Sequence, residues 1–229
     1  MKKNILSLSA IFVAVAIIFS SCGKDDVGAP TISITGANPL VLDLGDTFTD
    51  PGAIANDEED GNITSKMTIT GTVNTDKVDE YSIVYKVTDK AGNEGSATRK
   101  VQVKSSKLAG KEYTATPSDG QDTYNPYKCT PIQSGASFNT VFIKNFGGYG
   151  ATLEFTATVN PNNVTVSNKE FEATYDGQLY YVKIYNITGV YNKVSNDYRF
   201  VSFTYTEDIK TTPTGAPQTT TYTETWTIQ

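Results

Sequence analysis

Histidine does not occur anywhere in the 229 residues. Its absence removes the commonest general base, the commonest metal ligand and every Ser-His or Cys-His arrangement for nucleophilic catalysis. Cysteine occurs twice, as Cys22 and Cys129. Two cysteines without histidine do not complete a four-ligand zinc site. Cations are few: 19 Lys and Arg stand against 25 Asp and Glu, a net charge of −6. Such a chain is a poor nucleic-acid partner, because neutralising phosphates takes Lys and Arg. Helical periodicity is missing as well, with no sustained amphipathic helix after residue 22. No cofactor and no metal is expected from the residue types present.

One long apolar run is present. Lys2 and Lys3 precede a stretch from Ile5 to Phe19 broken only by Ser7 and Ser9, and Phe19-Ser20-Ser21-Cys22 then sets small residues before a cysteine. A charged start, a short apolar middle and a small-residue cleavage point are the parts of a secretory signal. The run falls short of the ~20 residues that span a membrane. The cysteine at the cleavage point makes the segment resemble a bacterial lipoprotein signal, or lipobox. That resemblance implies loss of residues 1–21 and lipidation of Cys22. Lys24-Asp25-Asp26 directly behind it resembles the surface-export signal of Bacteroidota lipoproteins, which implies an outer-membrane, lipid-anchored, surface-exposed protein. Two or more acyl chains attach firmly, at ~0.8 kcal/mol for each buried CH₂. Residues 22–28 are then anchor and linker, and the mature charge is near −8 once Lys2 and Lys3 are gone. With Cys22 acylated no intrachain disulfide remains, and Cys129 reads as an inert, partly buried thiol.

The rest is rich in strand formers, with 14 Tyr, 10 Phe and many Thr, Val and Ile, punctuated by Gly and Pro. An all-β chain is predicted. In residues 29–104 the candidate strands are 31–35, 40–44, 66–70, 81–88 and 98–104. Tyr81, Ile83, Tyr85 and Val87 share one face, as do Arg99, Val101 and Val103. Asp50-Pro51-Gly52, Asp60-Gly61-Asn62 and Ala91-Gly92-Asn93 form the turns. Short strands with regular turns predict an antiparallel sandwich. The segments Thr49–Ala53, Ala55–Thr64, Gly71–Val73 and Tyr81–Asn93, closing on Arg99-Lys100-Val101, resemble the bacterial immunoglobulin-like domains related to the hyalin repeat. The resemblance implies an immunoglobulin-like β-sandwich acting as a spacer or interaction module. Asp57-Glu58-Glu59-Asp60 with Asn62 offers oxygen ligands for calcium, but the spacing is not that of an EF-hand, and a solvated acidic loop reads better.

Residues 105–107 read as a linker and 108–229 as a tyrosine-rich antiparallel β domain. Candidate strands are 140–144, 151–159, 163–167, 170–175, 180–187, 198–206 and 219–228. Together they predict an antiparallel β-barrel or curled β-sandwich. In the last strand Tyr222, Glu224, Trp226 and Ile228 share a face opposite Thr221, Thr223, Thr225 and Thr227. Gly147-Gly148-Tyr149-Gly150 is a sharp turn or bulge rather than a phosphate loop, since neither a helix nor Lys-Ser/Thr follows. Residues 210–218 form a hairpin tip or mobile loop. Leu108–Tyr113 and Val141–Tyr149 resemble C-terminal domains of unknown function that follow an immunoglobulin-like module in small Bacteroidota lipoproteins, often in a polysaccharide-uptake setting.

Exposed tyrosines can stack on sugar rings, and Tyr124, Tyr127, Tyr149 and Trp226 are the candidate ligand-binding residues, although Trp226 reads better as filling the barrel. The leading expectation is a non-catalytic surface lipoprotein whose partners are the membrane, through its lipid, and a polysaccharide. An outer-membrane protein partner is the alternative. An enzyme would need a carboxylate pair. Glu154, Glu170, Glu172, Asp176, Asp197 and Glu224 are available, and nothing in the sequence selects two of them. Glu224 is set apart by sharing a face with Tyr222 and Trp226.

Overall fold

A computed structural model describes residues 25–228. The Cys22 reading lies outside the described residues. The first seven strands are β1 (Thr31–Ile34), β2 (Leu40–Asp43), β3 (Ala53–Asp57), β4 (Gly61–Asn62), β5 (Thr68–Thr70), β6 (Asp79–Thr88) and β7 (Glu94–Lys104). They form two sheets, ordered β1-β3-β4 and β2-β7-β6-β5. Alternation drives the packing. Ile83 and Tyr85 of β6 meet Val101 of β7 and Ala53 of β3 in a shared core, edged by Ile32, Ile34, Leu40 and Leu42. One pairing departs from the expected antiparallel pattern: β2 runs parallel to β7.

Arg99 shares the apolar face of β7 and is fully buried. A buried guanidinium needs partners for its donors. Here Nε donates to Asp50 Oδ1 at 3.1 Å, and Nη2 donates to Thr35 O at 2.6 Å and Gly52 O at 2.8 Å. Tyr85 Oη also donates to Asp50. The cation thus ties the Asp50-Pro51-Gly52 turn to the strand beneath it.

The remaining strands are β8 (Tyr113–Ser118), β9 (Tyr127–Cys129), β10 (Ile132–Gln133), β11 (Thr140–Lys144), β12 (Glu154–Val159), β13 (Val164–Val166), β14 (Lys169–Tyr175), β15 (Gln178–Val194), β16 (Asp197–Lys210) and β17 (Gln218–Ile228). They build one curled antiparallel sheet, a half-barrel ordered β10-β11-β12-β13-β15-β16-β17-β8-β9, with β14 added beside the first half of β15. The two edge strands, β9 and β10, are neighbours in sequence, so the curl brings the sheet's ends together without pairing them. Asn145, at the end of β11, crosses this seam and donates from Nδ2 to Lys128 O at 2.8 Å.

The concave face carries an aromatic core. Phe203 and Trp226 lie 4.6 Å apart between ring centroids, Phe146 and Phe155 5.1 Å, and Tyr113 and Trp226 5.3 Å. The convex face of β16 and β17 is threonine. Thr204 faces Thr223 at 3.3 Å and Thr206 faces Thr221 at 3.4 Å, side-chain pairs that support a solvated sheet face. Strand β15 runs well beyond the expected 180–187. A bulge at Asn186, whose φ is +54°, moves the buried set from Val182 and Ile184 to Ile187 and Tyr191. One extra residue in a strand re-aims all that follow it.

The two halves share a packed boundary. Leu44, Val78 and Val103 join the same core cluster as Leu108, Tyr191 and Tyr198. Val78 N donates to Tyr191 Oη at 3.0 Å, Tyr198 Oη donates to Asp76, and Lys107 pairs with Asp46 at 2.9 Å. The connecting residues are held as well: Ser105 N donates to Phe138 O at 2.9 Å.

Gly189 sits directly opposite Phe203, and a Cβ there would meet the ring at 2.4 Å. Gly189→Ala is expected to cost about 1–3 kcal/mol in urea unfolding, the usual range for overpacking a core. Gly135→Ala has open space around the new methyl and is expected to stay within about 0.5 kcal/mol of the parent. Equal effects at the two positions would contradict this account of the core.

Candidate ligand-binding site

At one end of the concave face a cavity of about 440 Å³ opens. Strand β16 supplies Tyr205 and Glu207, two positions apart and therefore on one face. Strand β17 adds Tyr222 beside them. The loop before β9 contributes Tyr124 and Asn125, and β9 itself Tyr127. The Gly-rich turn after β11 contributes Tyr149. Gly147 and Gly148 have φ of +71° and +78°, and a Cβ on Gly147 would press on the Tyr149 ring at 3.1 Å. Glycine is what lets the turn fold back and lay that ring against the sheet.

One carboxyl group lines the cavity and a second is buried behind its tyrosines. Glu224 is fully buried. Its Oε2 accepts Trp226 Nε1–H at 2.9 Å, and Tyr127 Oη donates to its Oε1. Burial pushes the Glu224 carboxyl above the ordinary range, and the donors from Tyr127 and Trp226 partly offset this. Gly147 N donates to Tyr127 Oη at 2.8 Å, extending the chain from Glu224 to the turn. Glu207 is different. It is 5 % exposed and lines the cavity, and Tyr149 Oη donates to its Oε1. Its Oε2 takes no hydrogen bond from the protein. No buried side-chain oxygen among the described residues lacks a partner, so Oε2 opens onto the cavity. Burial pushes this carboxyl up as well.

The aromatic walls are braced. Tyr124 Oη donates to Asp119 Oδ2 at 2.6 Å, and its ring meets Tyr222 edge-on at 5.6 Å. Tyr205 stacks on Tyr222 at 5.4 Å, and Tyr149 meets Phe171 edge-on at 4.9 Å. Tyr149 also walls two neighbouring hollows. One, of about 660 Å³, runs toward β14, and an apolar one of about 230 Å³ lies against Tyr175, Tyr180 and Ile209.

Of the residues singled out from sequence, Tyr124, Tyr127 and Tyr149 converge on this cavity. Trp226 does not reach it. It is 2 % exposed, because its inward position on a central strand packs it among Tyr113, Phe200 and Phe203, and its indole N–H is spent on Glu224. Sequence reasoning missed Glu207, Tyr205 and Tyr222 as site residues. The candidate strand ended at Thr206, one residue short, although the inward alternation Phe203, Tyr205 continues to Glu207. The other carboxylates lie elsewhere: Glu170 pairs with Lys183 at 2.8 Å and Asp197 with Lys111 at 2.5 Å. Cys129 is buried, its thiol pushed up by burial. In the acidic loop, Asp60 pairs with Lys90 at 2.8 Å, while carboxylate oxygens of Asp26, Asp57 and Glu59 lie within 4.8 Å of one another.

Residues 32–103 match the family model of the bacterial surface protein, Ig-like domain. The first two sheets are thus a bacterial surface Ig-like domain, and a C-terminal β domain follows it. Among solved structures, the chain is similar to a lipoprotein of Bacteroides thetaiotaomicron, with 18 % identity and a TM-score of 0.33, over 86 % of this chain and 99 % of that one. It is also similar to the CBM51-2 and INT domains of Clostridium perfringens ZmpB, solved with GlcNAc. There the identity is 16 % and the TM-score 0.28, over 87 % of this chain and 44 % of that one. No curated protein matches.

A carboxyl with a raised pKa binds its proton more tightly in the folded chain than in the unfolded one. For Glu224 this contribution is most favourable below the ordinary value of 4.5 and becomes a cost as pH rises through the raised value. Glu224→Gln cannot ionise. Its Tm relative to the parent is expected to climb from about pH 4 to about pH 8. A difference that does not change with pH would show that Glu224 is not held in this way.

Proposed function

We propose that this chain is a non-catalytic lipoprotein, anchored through Cys22 at the outer membrane and facing outward. Its Ig-like domain serves as the spacer, and its C-terminal domain binds glycan in a polysaccharide-uptake setting. The observation that carries the reading is the cavity of Tyr124, Tyr127, Tyr149, Tyr205 and Tyr222 around an open oxygen of Glu207. Aromatic rings give apolar area to a sugar face, while a few fixed polar groups orient its hydroxyls. The non-catalytic part draws on Glu224. A glycosidase needs two carboxyls that both reach the scissile bond, and Glu224 is enclosed and hydrogen-bonded on both oxygens.

A second reading, a protein-interaction subunit of an outer-membrane complex, draws on the β14–β15 hairpin. Tyr175 is 77 % exposed at its tip, Leu179 is exposed beside it, and β14 pairs on one side alone. Co-purification with a membrane protein, without any glycan response, would favour that reading.

Thermal unfolding of the full chain in detergent against a polysaccharide panel tests the first reading. A reproducible upward shift with one glycan is expected, and that glycan should remain uncleaved on prolonged incubation. Tyr149→Ala and Tyr124→Ala should each weaken its binding about tenfold or more, ~1.4 kcal/mol. A panel without response, or appearance of hydrolysis products, would overturn it. Cys22→Ser is expected to move the protein from the membrane fraction to the soluble one.

A further inference from the structure

The cavity has an acid facing in and no base to answer it. Its lining contains neither Lys nor Arg. Glu207 is 5 % exposed, and its Oε2 is the one carboxylate oxygen turned to the cavity without a protein partner. The nearby lysines are engaged outside: Lys128 pairs with Glu112 and Lys183 with Glu170. Five tyrosines line the same cavity. The hydroxyls of Tyr127 and Tyr149 are directed to the two glutamates and that of Tyr124 to Asp119, so their rings rather than their donors are offered to a ligand. Aromatic rings around a single carboxylate are the recognition chemistry of an organic ammonium, which gains ring attraction and a charge-assisted hydrogen bond together. A sugar hydroxyl at the same place can also donate to the carboxylate, but it brings no positive charge for the carboxylate and the rings to attract.

We infer that the cavity selects a protonated amine, in the form of an amino sugar with a free ammonium group, over the same sugar bearing a hydroxyl or an N-acetyl group there. This rests on the glycan reading of the same cavity. The ammonium donates to Glu207 Oε2 while Tyr149 holds Oε1. The rings of Tyr124 and Tyr222 cover the sugar. Acetylation removes the charge, and with it the ion pair with Glu207 and the cation's attraction to the rings.

Three oligosaccharides with one β-1,4 backbone isolate the substituent: glucosamine, N-acetylglucosamine and glucose oligomers of equal length. Calorimetric titration of the full chain in detergent at physiological salt is expected to give the glucosamine oligomer at least a tenfold advantage over both others. Glu207→Gln keeps the side-chain shape and removes the charge. It should reduce that advantage below threefold, chiefly by weakening the glucosamine oligomer. Glu58→Gln, on the exposed acidic loop of the other domain, should preserve the advantage, which separates the site from the chain's overall negative charge. For the unsubstituted chain, raising the salt concentration should erode the glucosamine oligomer's advantage more than it weakens the glucose oligomer, so a Glu207→Gln chain that fails to fold does not remove the test, and an advantage insensitive to salt overturns the inference. Equal or tighter binding of the glucose or N-acetylglucosamine oligomer overturns the inference and leaves the glycan reading standing, as does an amine preference that survives Glu207→Gln. A simple alkylammonium that binds in a Glu207-dependent way when no sugar of the panel does would overturn the glycan reading and keep the amine assignment. No binding by any of these probes overturns both.

Discussion

Glu224 puts a carboxyl group on the inner face of a curled sheet, where an unpartnered one would be untenable. Its bonds to Trp226 on its own strand and to Tyr127 on the edge strand β9 satisfy it in place. Through Gly147 N, Tyr127 then reaches the turn after β11, on the opposite side of the unpaired seam. A half-barrel has two edges that its backbone leaves unjoined, and here side chains join them: Glu224 to Tyr127 to Gly147 inside, Asn145 to Lys128 outside. The same chain of bonds aims the Gly-rich turn and with it Tyr149. Structural satisfaction of one acid therefore positions the wall of the cavity, and leaves the second acid, Glu207, free on one oxygen.

The boundary between the Ig-like domain and the curled sheet has the character of a core. Leu44, Val78 and Val103 pack with Leu108 and Tyr198, and Gly45 approaches the Tyr198 ring so closely that a Cβ would lie 2.8 Å from it. Buried backbone donors are used across it, as at Val78 and Tyr191. This makes the Ig-like domain and the curled sheet one packed piece, held across the short connection of residues 105–107.

Much of this was legible as alternation. The faces of β6, β7 and β17 follow directly from period-two patterns, down to Glu224 beside Tyr222 and Trp226. Three tyrosines on turn-rich loops were marked and do meet. What escaped has physical causes. Strand β3 buries Ala53 and Ala55, side chains too small to mark an apolar face. The Asn186 bulge breaks alternation in β15, so a simple period ends the strand early. Glu207 is a charged residue on an inward position, a place that patterning assigns to apolar groups. Its neutral company of tyrosines is contributed by four separate segments, and no sequence window contains them all. Trp226 reads from sequence as filling the barrel more readily than as binding, and the aromatic cluster of Tyr113, Phe200 and Phe203 is what it fills.

Trp226 is the chain's single tryptophan, buried in the core of the curled sheet and linked through Glu224 to Tyr127 of the cavity wall. Its emission therefore reports on the concave face through that link. The most direct measurement is tryptophan fluorescence of the full chain during titration with each oligosaccharide, with binding followed in parallel by calorimetry. The account expects a saturable change in emission whose midpoint matches the calorimetric affinity. A glycan that binds by calorimetry while the Trp226 emission stays constant would place the binding surface elsewhere and contradict it.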